Sequence, residues 1–191
     1  MSAIIVVTGY LASGKSTFTH RLSKALRIPY LVKDTFKIAL CESASIISRD
    51  ESSRYSVVTF DGMMYVAERL IETGHPIIIE GNFVPVGMKM KDEAGTIKKL
   101  IDKYDCRSLV YKFVGDTWVL HKRYLERDKL PERGQVNAML GDIPYGDFDK
   151  LCRNLDAFDI GGVTVNIDTT DFEKVDFDHH IEMARKFVGG N

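Results

Sequence analysis

Several features that would define a protein class are scarce or missing in this sequence. Cysteine occurs only at Cys41, Cys106 and Cys152, and this odd, scattered set favours neither a disulfide framework nor a zinc site. No apolar run reaches about 18 residues, so we expect no contact with a membrane. The formal net charge is −1, which does not favour nucleic acid as a partner. With no charged, cleavable leader before the first predicted strand, a cytoplasmic location is expected.

The sequence contains enough hydrophobic residues to form one sizeable core. Hydrophobic residues make up 45% of the 191 residues, so we predict a single domain spanning residues 1–191. Short apolar runs alternate with amphipathic segments, which is typical of an α/β protein. We predict a five-stranded parallel sheet with helices on both faces. Ligands of such sheets bind beyond the carboxyl ends of the strands.

The most informative stretch is Gly9–Ser16, which reads GYLASGKS and matches the phosphate-binding loop pattern. A β-branched apolar run, Ala3–Thr8, precedes it, and apolar residues at helical spacing follow it, so the loop joins a strand to a helix. The glycines let the backbone N–H groups surround a phosphate. Lys15 is expected to reach the β- and γ-phosphates and to be essential for transfer, while the Ser16 hydroxyl would bind Mg²⁺. The candidate nucleotide contacts here are Gly9, Leu11, Ala12, Ser13, Gly14, Lys15, Ser16 and Thr17.

Four predicted strands end in or beside a carboxylate, at Asp34, Glu80, Asp116 and Asp168. Phosphoryl transfer to a hydroxyl needs a carboxylate that accepts or orients the hydroxyl proton, and Asp34 is our candidate for this catalytic role. The alternative is that Asp34 only caps a helix. Glu80 could bind substrate or the metal, or could simply end its strand in solvent. Asp116 fits a helix cap better than a ligand, and Asp168 could be either.

Further candidates lie in loops and in a charged helix. Asn82 follows Glu80 closely, and Arg54 ends the polar, serine-rich stretch 43–54, for which we predict a loop; both are candidate substrate contacts. The helix after the fourth strand becomes highly charged, and we predict a lid over approximately residues 121–146. Arg123 and Arg127 share one face of this helix, and Arg133 follows a proline. Lid arginines can meet the charge that develops during phosphoryl transfer, although mixed charge is also usual for a surface helix.

Together these residues resemble a known group of enzymes, the small P-loop kinases of the shikimate, gluconate and chloramphenicol kinase type. The resemblance is stronger to the AAA-type kinase-like family, which includes zeta toxins and the polynucleotide 5′-kinase domain. The segments that carry it are Gly9–Thr17, Lys33-Asp34, Glu80-Gly81-Asn82, the three arginines, and Asp168-Thr169-Thr170. The resemblance implies that Asp34 acts as base or orienter and that Arg123, Arg127 and Arg133 hold phosphates. It also implies that the residues from Thr169 to Asp171 lie near adenine.

We therefore predict an ATP- and Mg²⁺-dependent kinase that phosphorylates a hydroxyl of a small molecule such as a sugar acid or nucleoside. It would act as a monomer or homodimer. One alternative is a nucleotide-hydrolysing switch that acts on a protein partner. A switch would orient water with a residue such as glutamine and read guanine through an Asn-Lys-x-Asp motif, but Gln135 is the only glutamine and no such motif occurs. A zeta-toxin-like kinase would differ only in its acceptor, and a nucleic-acid end kinase would need a basic stripe.

Overall fold

The fold is built from alternating strands and helices. A computed structural model describes residues 2–46, 48–85, 92–127 and 142–190. The strands are β1 (Ala3–Gly9), β2 (Tyr30–Val32), β3 (Ile77–Glu80), β4 (Arg107–Val114) and β5 (Val163–Asp168). The helices of the described ranges are α1 (Lys15–Leu26), α2 (Lys33–Ser43), α3 (Arg49–Glu72), α4 (Glu93–Tyr104), α5 (Thr117–Arg127), α6 (Tyr145–Asn154) and α7 (Phe177–Gly189). Short 3₁₀ turns cover Leu155–Ala157 and Phe172–Lys174.

The sheet is entirely parallel, with strand order β2-β3-β1-β4-β5. The central strand, β1, pairs with β3 through registers such as Ile5 with Ile78, and with β4 through Ile5 with Leu109. All seven residues of β1 are buried, as a β-branched strand with both faces covered should be. The predicted five-stranded parallel sheet is confirmed.

Two apolar clusters cover the two faces of this sheet. Because successive side chains of a strand point to opposite faces, Ile4 packs into one cluster and Ile5 into the other. The first cluster includes Met63 of α3 and Ile97 of α4. The second is built on Phe18 of α1, together with residues of α7. The helices therefore lie on both faces, as predicted, and leave the carboxyl ends of the strands free for a site.

The loop predicted over residues 43–54 is wrong, because α2 continues to Ser43 and α3 begins at Arg49. Ser48 is the N-cap of α3: its hydroxyl accepts the Glu51 N–H at 3.2 Å and donates to the Glu51 carboxylate at 3.1 Å. The pattern Ser-x-x-Glu was present in the sequence. The serine-rich, polar residues around this pattern also fitted a loop, because serine is typical of both turns and helix starts.

The predicted lid is described only at its two ends. α5 runs to Arg127, and the structure resumes at Asp142, shortly before α6. Arg133 and the rest of 128–141 lie outside the described residues, so that part of the lid stays a prediction. Within the described ranges, none of the helices has both the length and the apolar character needed to cross a membrane.

Candidate functional site

The phosphate-loop motif forms a tight turn between β1 and α1. Gly9 has a φ of 120°, and a Cβ at this position would lie 2.1 Å from the carbonyl oxygen of Phe113. Gly14 is the left-handed N-cap of α1, with a φ of 86°, and a Cβ there would lie 2.1 Å from the ring of Phe172. Both positions therefore require glycine for conformation and for space. Together they place the N–H groups of the loop at the start of α1.

The loop is anchored to the body of the protein through Tyr10. The backbone N–H of Tyr10 donates to the carbonyl of Phe113 at 2.8 Å, and its phenol donates to Asp156 at 2.8 Å. The Ser13 hydroxyl donates back to the Tyr10 carbonyl at 2.7 Å. Burial, followed by the bond to Asp156, raises the pKa of Tyr10 to about 12, so the phenol stays protonated as a donor. These contacts within the protein hold the loop in shape.

Lys15, the lysine of the motif, is buried with only 7% of its surface exposed. Its ammonium donates to two carbonyls of the loop itself, those of Gly9 and Tyr10. Burial lowers the pKa of Lys15, while the nearby carboxylates Glu80 and Asp34 act in the opposite direction. Carbonyl dipoles offset only part of the cost of a buried charge. An anion placed at this loop would therefore satisfy Lys15 better than its present partners.

A cavity at the carboxyl edge of the sheet brings residues from five parts of the chain together. The phosphate loop and α1 supply one wall, while α2, β3, the segment after β3 and α5 supply the others. Its lining residues are Leu11, Ala12, Ser13, Gly14, Lys15, Ser16, Thr17, Asp34, Glu80, Asn82 and Arg127. Every one of them was a candidate from the sequence, and the structure places them around one space.

Ser16 and Glu80, the two predicted metal residues, are in direct contact. The Ser16 hydroxyl donates to a Glu80 carboxylate oxygen at 2.9 Å, and Glu80 is only 3% exposed. Hydroxyl and carboxylate oxygens suit Mg²⁺. Nearby, Asn82 Oδ1 is buried and has no hydrogen-bond partner among the described residues. These oxygens fit a metal-nucleotide complex, and Ser16 with Glu80 would hold the ion.

Asp34 is not the N-cap of α2. The helix begins at Lys33, the cap position is Val32, and the start has no side-chain cap hydrogen bond. Asp34 lies in the first turn, exposed, and on the wall of the cavity. The competing interpretation of Asp34 as a cap is therefore not what the structure shows, and its carboxylate is accessible to a ligand.

The two described arginines of α5 occupy different surroundings. Arg127 lines the cavity, whereas the Arg123 guanidinium donates to the carbonyls of Thr169 and Thr170, at 2.6 and 2.8 Å. The structure thus places Arg123 against the turn that follows β5 and not on the cavity wall. Asp171, in the same turn, pairs with Lys174 at 2.7 Å. The predicted contacts of Arg123, Thr169 and Asp171 with nucleotide remain predictions.

Two other candidates, Asp116 and Asp168, have local roles in the structure, and a third, Arg54, lies away from the cavity. Asp116 caps α5 by accepting the N–H of Val119 at 3.0 Å, as expected. Asp168 accepts the N–H of Thr170 at 2.8 Å, and hydrogen bonds from Thr170 lower the pKa of its carboxyl. Arg54 is exposed and borders a separate groove on α3, and it is not among the residues that line the phosphate-loop cavity. Its substrate contact remains a prediction.

Sequence reasoning missed a buried ion pair beside the cavity. Lys33 donates to Glu93 at 2.5 Å, and the side chains are 7% and 2% exposed. The two residues are sixty positions apart, and a single sequence carries no local signal for such a contact. Phe172 was also missed as a packing partner of Gly14.

Comparison with known proteins supports the fold. Neither a protein-family model nor a curated protein matches this sequence. Among solved structures, a protein of Chloroflexus aurantiacus, provisionally assigned as a kinase, is similar at 23% identity and a TM-score of 0.82, covering 98% of this chain and 96% of that one. A gluconokinase from Sinorhizobium meliloti is similar at 18% identity and a TM-score of 0.55, covering 95% and 89%. A shikimate kinase from Bacteroides thetaiotaomicron follows at 12% and 0.56, covering 98% of each chain. The fold is that of the small P-loop kinases.

Proposed function

We propose that this protein is an ATP- and Mg²⁺-dependent kinase that transfers the γ-phosphate to a hydroxyl of a small molecule. One observation carries the proposal: the motif lysine, the Ser16–Glu80 pair, Asp34 and Arg127 surround a single cavity at the carboxyl edge of the sheet. A phosphate-binding loop alone would fit any nucleotide-binding protein. The exposed carboxylate of Asp34, on the wall of the same cavity, favours transfer to a second substrate.

The phosphate side of the cavity is formed by α1 and the loop before it. Backbone N–H groups at the helix start attract the phosphates, and Lys15 would exchange its two carbonyl partners for phosphate oxygens. Ser16 and Glu80 would hold Mg²⁺, and the ion would supply positive charge that offsets the negative charge of the phosphates. Arg127, at the end of α5, lines this cavity and would meet negative charge on the transferring group.

The acceptor side is formed by Asp34 and Asn82. Asp34 would accept the proton of the acceptor hydroxyl while the hydroxyl oxygen forms its bond to the γ-phosphorus. The bond from that phosphorus to the β–γ bridging oxygen breaks, and ADP leaves with that oxygen. The side-chain carbonyl oxygen of Asn82 has no partner in the part of the chain that the structure describes, and it could accept a hydrogen bond from a second donor group of the acceptor. The acceptor is thus expected to be polar and hydroxylated.

Support also comes from the folds this chain resembles. The neighbours named gluconokinase and shikimate kinase share its architecture, at identities that show the fold alone. A sugar acid, nucleoside or similar small molecule is the proposed acceptor, and the cytoplasm is the proposed location. The protein would work as a monomer or homodimer.

The proposal is tested by measuring ADP release with ATP and Mg²⁺ across a panel of sugars, sugar acids, polyols and nucleosides. At least one acceptor should raise ADP release well above the rate with water alone, and a phosphorylated product of matching mass should form. ADP release that no acceptor increases, combined with tight nucleotide binding, would instead favour the hydrolysing-switch alternative. The control is the Lys24→Ala variant, because Lys24 is an exposed residue of α1 outside the cavity.

A further inference from the structure

The Lys33–Glu93 ion pair occupies an unusual place. Lys33 is the first residue of α2, where the partial positive charge of a helix start disfavours a cation, and it is also buried. Its ammonium lies 2.5 Å from Glu93, with the rings of Phe60 and Phe83 at 5.7 and 5.9 Å. A lysine that is both buried and at a helix start conflicts with local preference. Such conflicts concentrate at functional sites.

Glu93 joins three segments. It is the first residue of α4, one of its carboxylate oxygens accepts from Lys33, and the other accepts the backbone N–H of Val84 at 2.9 Å. The carbonyl of Val84 in turn accepts the N–H of Ala94 at 3.1 Å. The pair therefore ties the start of α2 and the segment after β3 to one point on α4.

Both tied segments carry residues of the proposed site. Asp34 directly follows Lys33, and Asn82 lies two residues before Val84. Gly81 allows the two segments to approach closely, because a Cβ there would lie 3.0 Å from the Cβ of Lys33. A shift of the ion pair would thus change the distance between Asp34, the proposed base, and Asn82.

We propose that Lys33 and Glu93 are positioning residues, which set the placement of Asp34 relative to Glu80 and Asn82 for phosphoryl transfer. The turnover part of this inference rests on the proposed kinase function. A buried ion pair is poor evidence for stability, since apolar or neutral replacements of both partners often fold as well. Misplacing reacting groups by about 1 Å can cost about 10²-fold in rate. We therefore expect removal of both charges to change the position of Asp34, and with it kcat, more than it changes stability.

The test uses the double variant Lys33→Met/Glu93→Gln, which removes both charges but keeps an oxygen that can accept the Val84 N–H. We expect ATP affinity within about twofold of wild type, because the phosphate loop is untouched, and kcat for the acceptor about 10- to 100-fold lower. Lys33→Arg, which retains the charge, should keep more of kcat than the double variant. The matched control is Lys103→Met/Glu68→Gln, which removes an exposed ion pair between α3 and α4 and should leave kcat unchanged.

A second readout does not depend on turnover. Amide hydrogen exchange in the first turns of α2 and at Asn82–Val84 should be faster in the double variant, with exchange in α1 unchanged. The inference is overturned if exchange in both segments stays at the wild-type rate, or if the double variant retains wild-type kcat. If wild-type protein phosphorylates no acceptor, the proposed function fails, and exchange alone then decides whether the pair positions these segments.

Discussion

Two buried lysines begin two neighbouring helices of this protein, and their surroundings differ. Lys15 starts α1 after β1, and Lys33 starts α2 after β2; both are buried. Lys33 is neutralised by Glu93. Lys15 donates to the backbone carbonyls of Gly9 and Tyr10, and burial lowers its pKa while the nearby carboxylates act in the opposite direction. Lys33 donates directly to a carboxylate, as a structural residue does, whereas Lys15 donates to carbonyls of the phosphate loop, which an anionic ligand could replace.

The largest expected effect comes from Lys15. Lys15→Ala should reduce phosphoryl transfer by about 10³-fold or more, because a charged donor to the transferring phosphate is lost. Calorimetry should also show weaker binding of ATP–Mg²⁺, while circular dichroism shows an unchanged fold. Unchanged ATP affinity would contradict the assignment of the phosphate loop.

The next prediction concerns Asp34, in the first turn of α2, whose loss should affect turnover more than ATP binding. Asp34→Asn should lower kcat about 10²- to 10⁴-fold with ATP affinity nearly unchanged, since a general base is removed and the phosphate contacts remain. Steady-state kinetics with the best acceptor measure this effect. Asp102→Asn, at an exposed position of α4, is the control. Full turnover in Asp34→Asn would show that the carboxylate is not catalytic.

For the free energy of unfolding, the order of the two lysines should be reversed, so that substitution of Lys33 is more damaging than substitution of Lys15. Lys33→Met leaves the Glu93 charge buried and unpaired, which should cost about 3–5 kcal/mol in the free energy of unfolding. Lys15→Met removes a charge whose burial is only partly compensated, so its stability should equal or exceed that of wild type. Urea denaturation of both variants at one pH measures the difference. Equal destabilisation by the two substitutions would remove the distinction drawn between them.

The smallest expected effect is a pH dependence. Burial lowers the pKa of Lys15 in the folded protein below its ordinary value of 10.5, so between these two values the unfolded chain binds more protons at this residue. The free energy of unfolding of wild type therefore gains a contribution that rises with pH across this window. The stability advantage of Lys15→Met over wild type should shrink as pH approaches 10.5, which denaturation at several pH values would show. A difference independent of pH would contradict the lowered pKa.

The parts of the site that could be predicted from the sequence are those encoded locally. A strand, a glycine loop and a helix follow one another directly around Lys15, and Asp34 and Glu80 sit at the ends of apolar runs. Because the carboxyl ends of parallel strands share one edge of the sheet, these residues are expected to lie close together. The resemblance to small P-loop kinases agreed with the fold that was found.

What could not be predicted depends on contacts between distant parts of the chain. The Lys33–Glu93 pair forms only because α4 packs beside the start of α2. The sequence places Arg123 and Arg127 on one helix face, yet only the packing of the turn after β5 decides that Arg123 donates to backbone carbonyls. Periodicity identifies a face of a helix but not what that face meets.

The anchoring of the phosphate loop has a consequence for the kinetics of nucleotide capture. Tyr10 is fixed through its backbone to β4 and through its phenol to Asp156, and Ser13 closes the turn from within. The conformational entropy of ordering this loop is therefore lost during folding and not at the moment of encounter. Association should then be limited by diffusion and by electrostatic attraction, and affinity differences among nucleotide analogues should appear mainly in their dissociation rates.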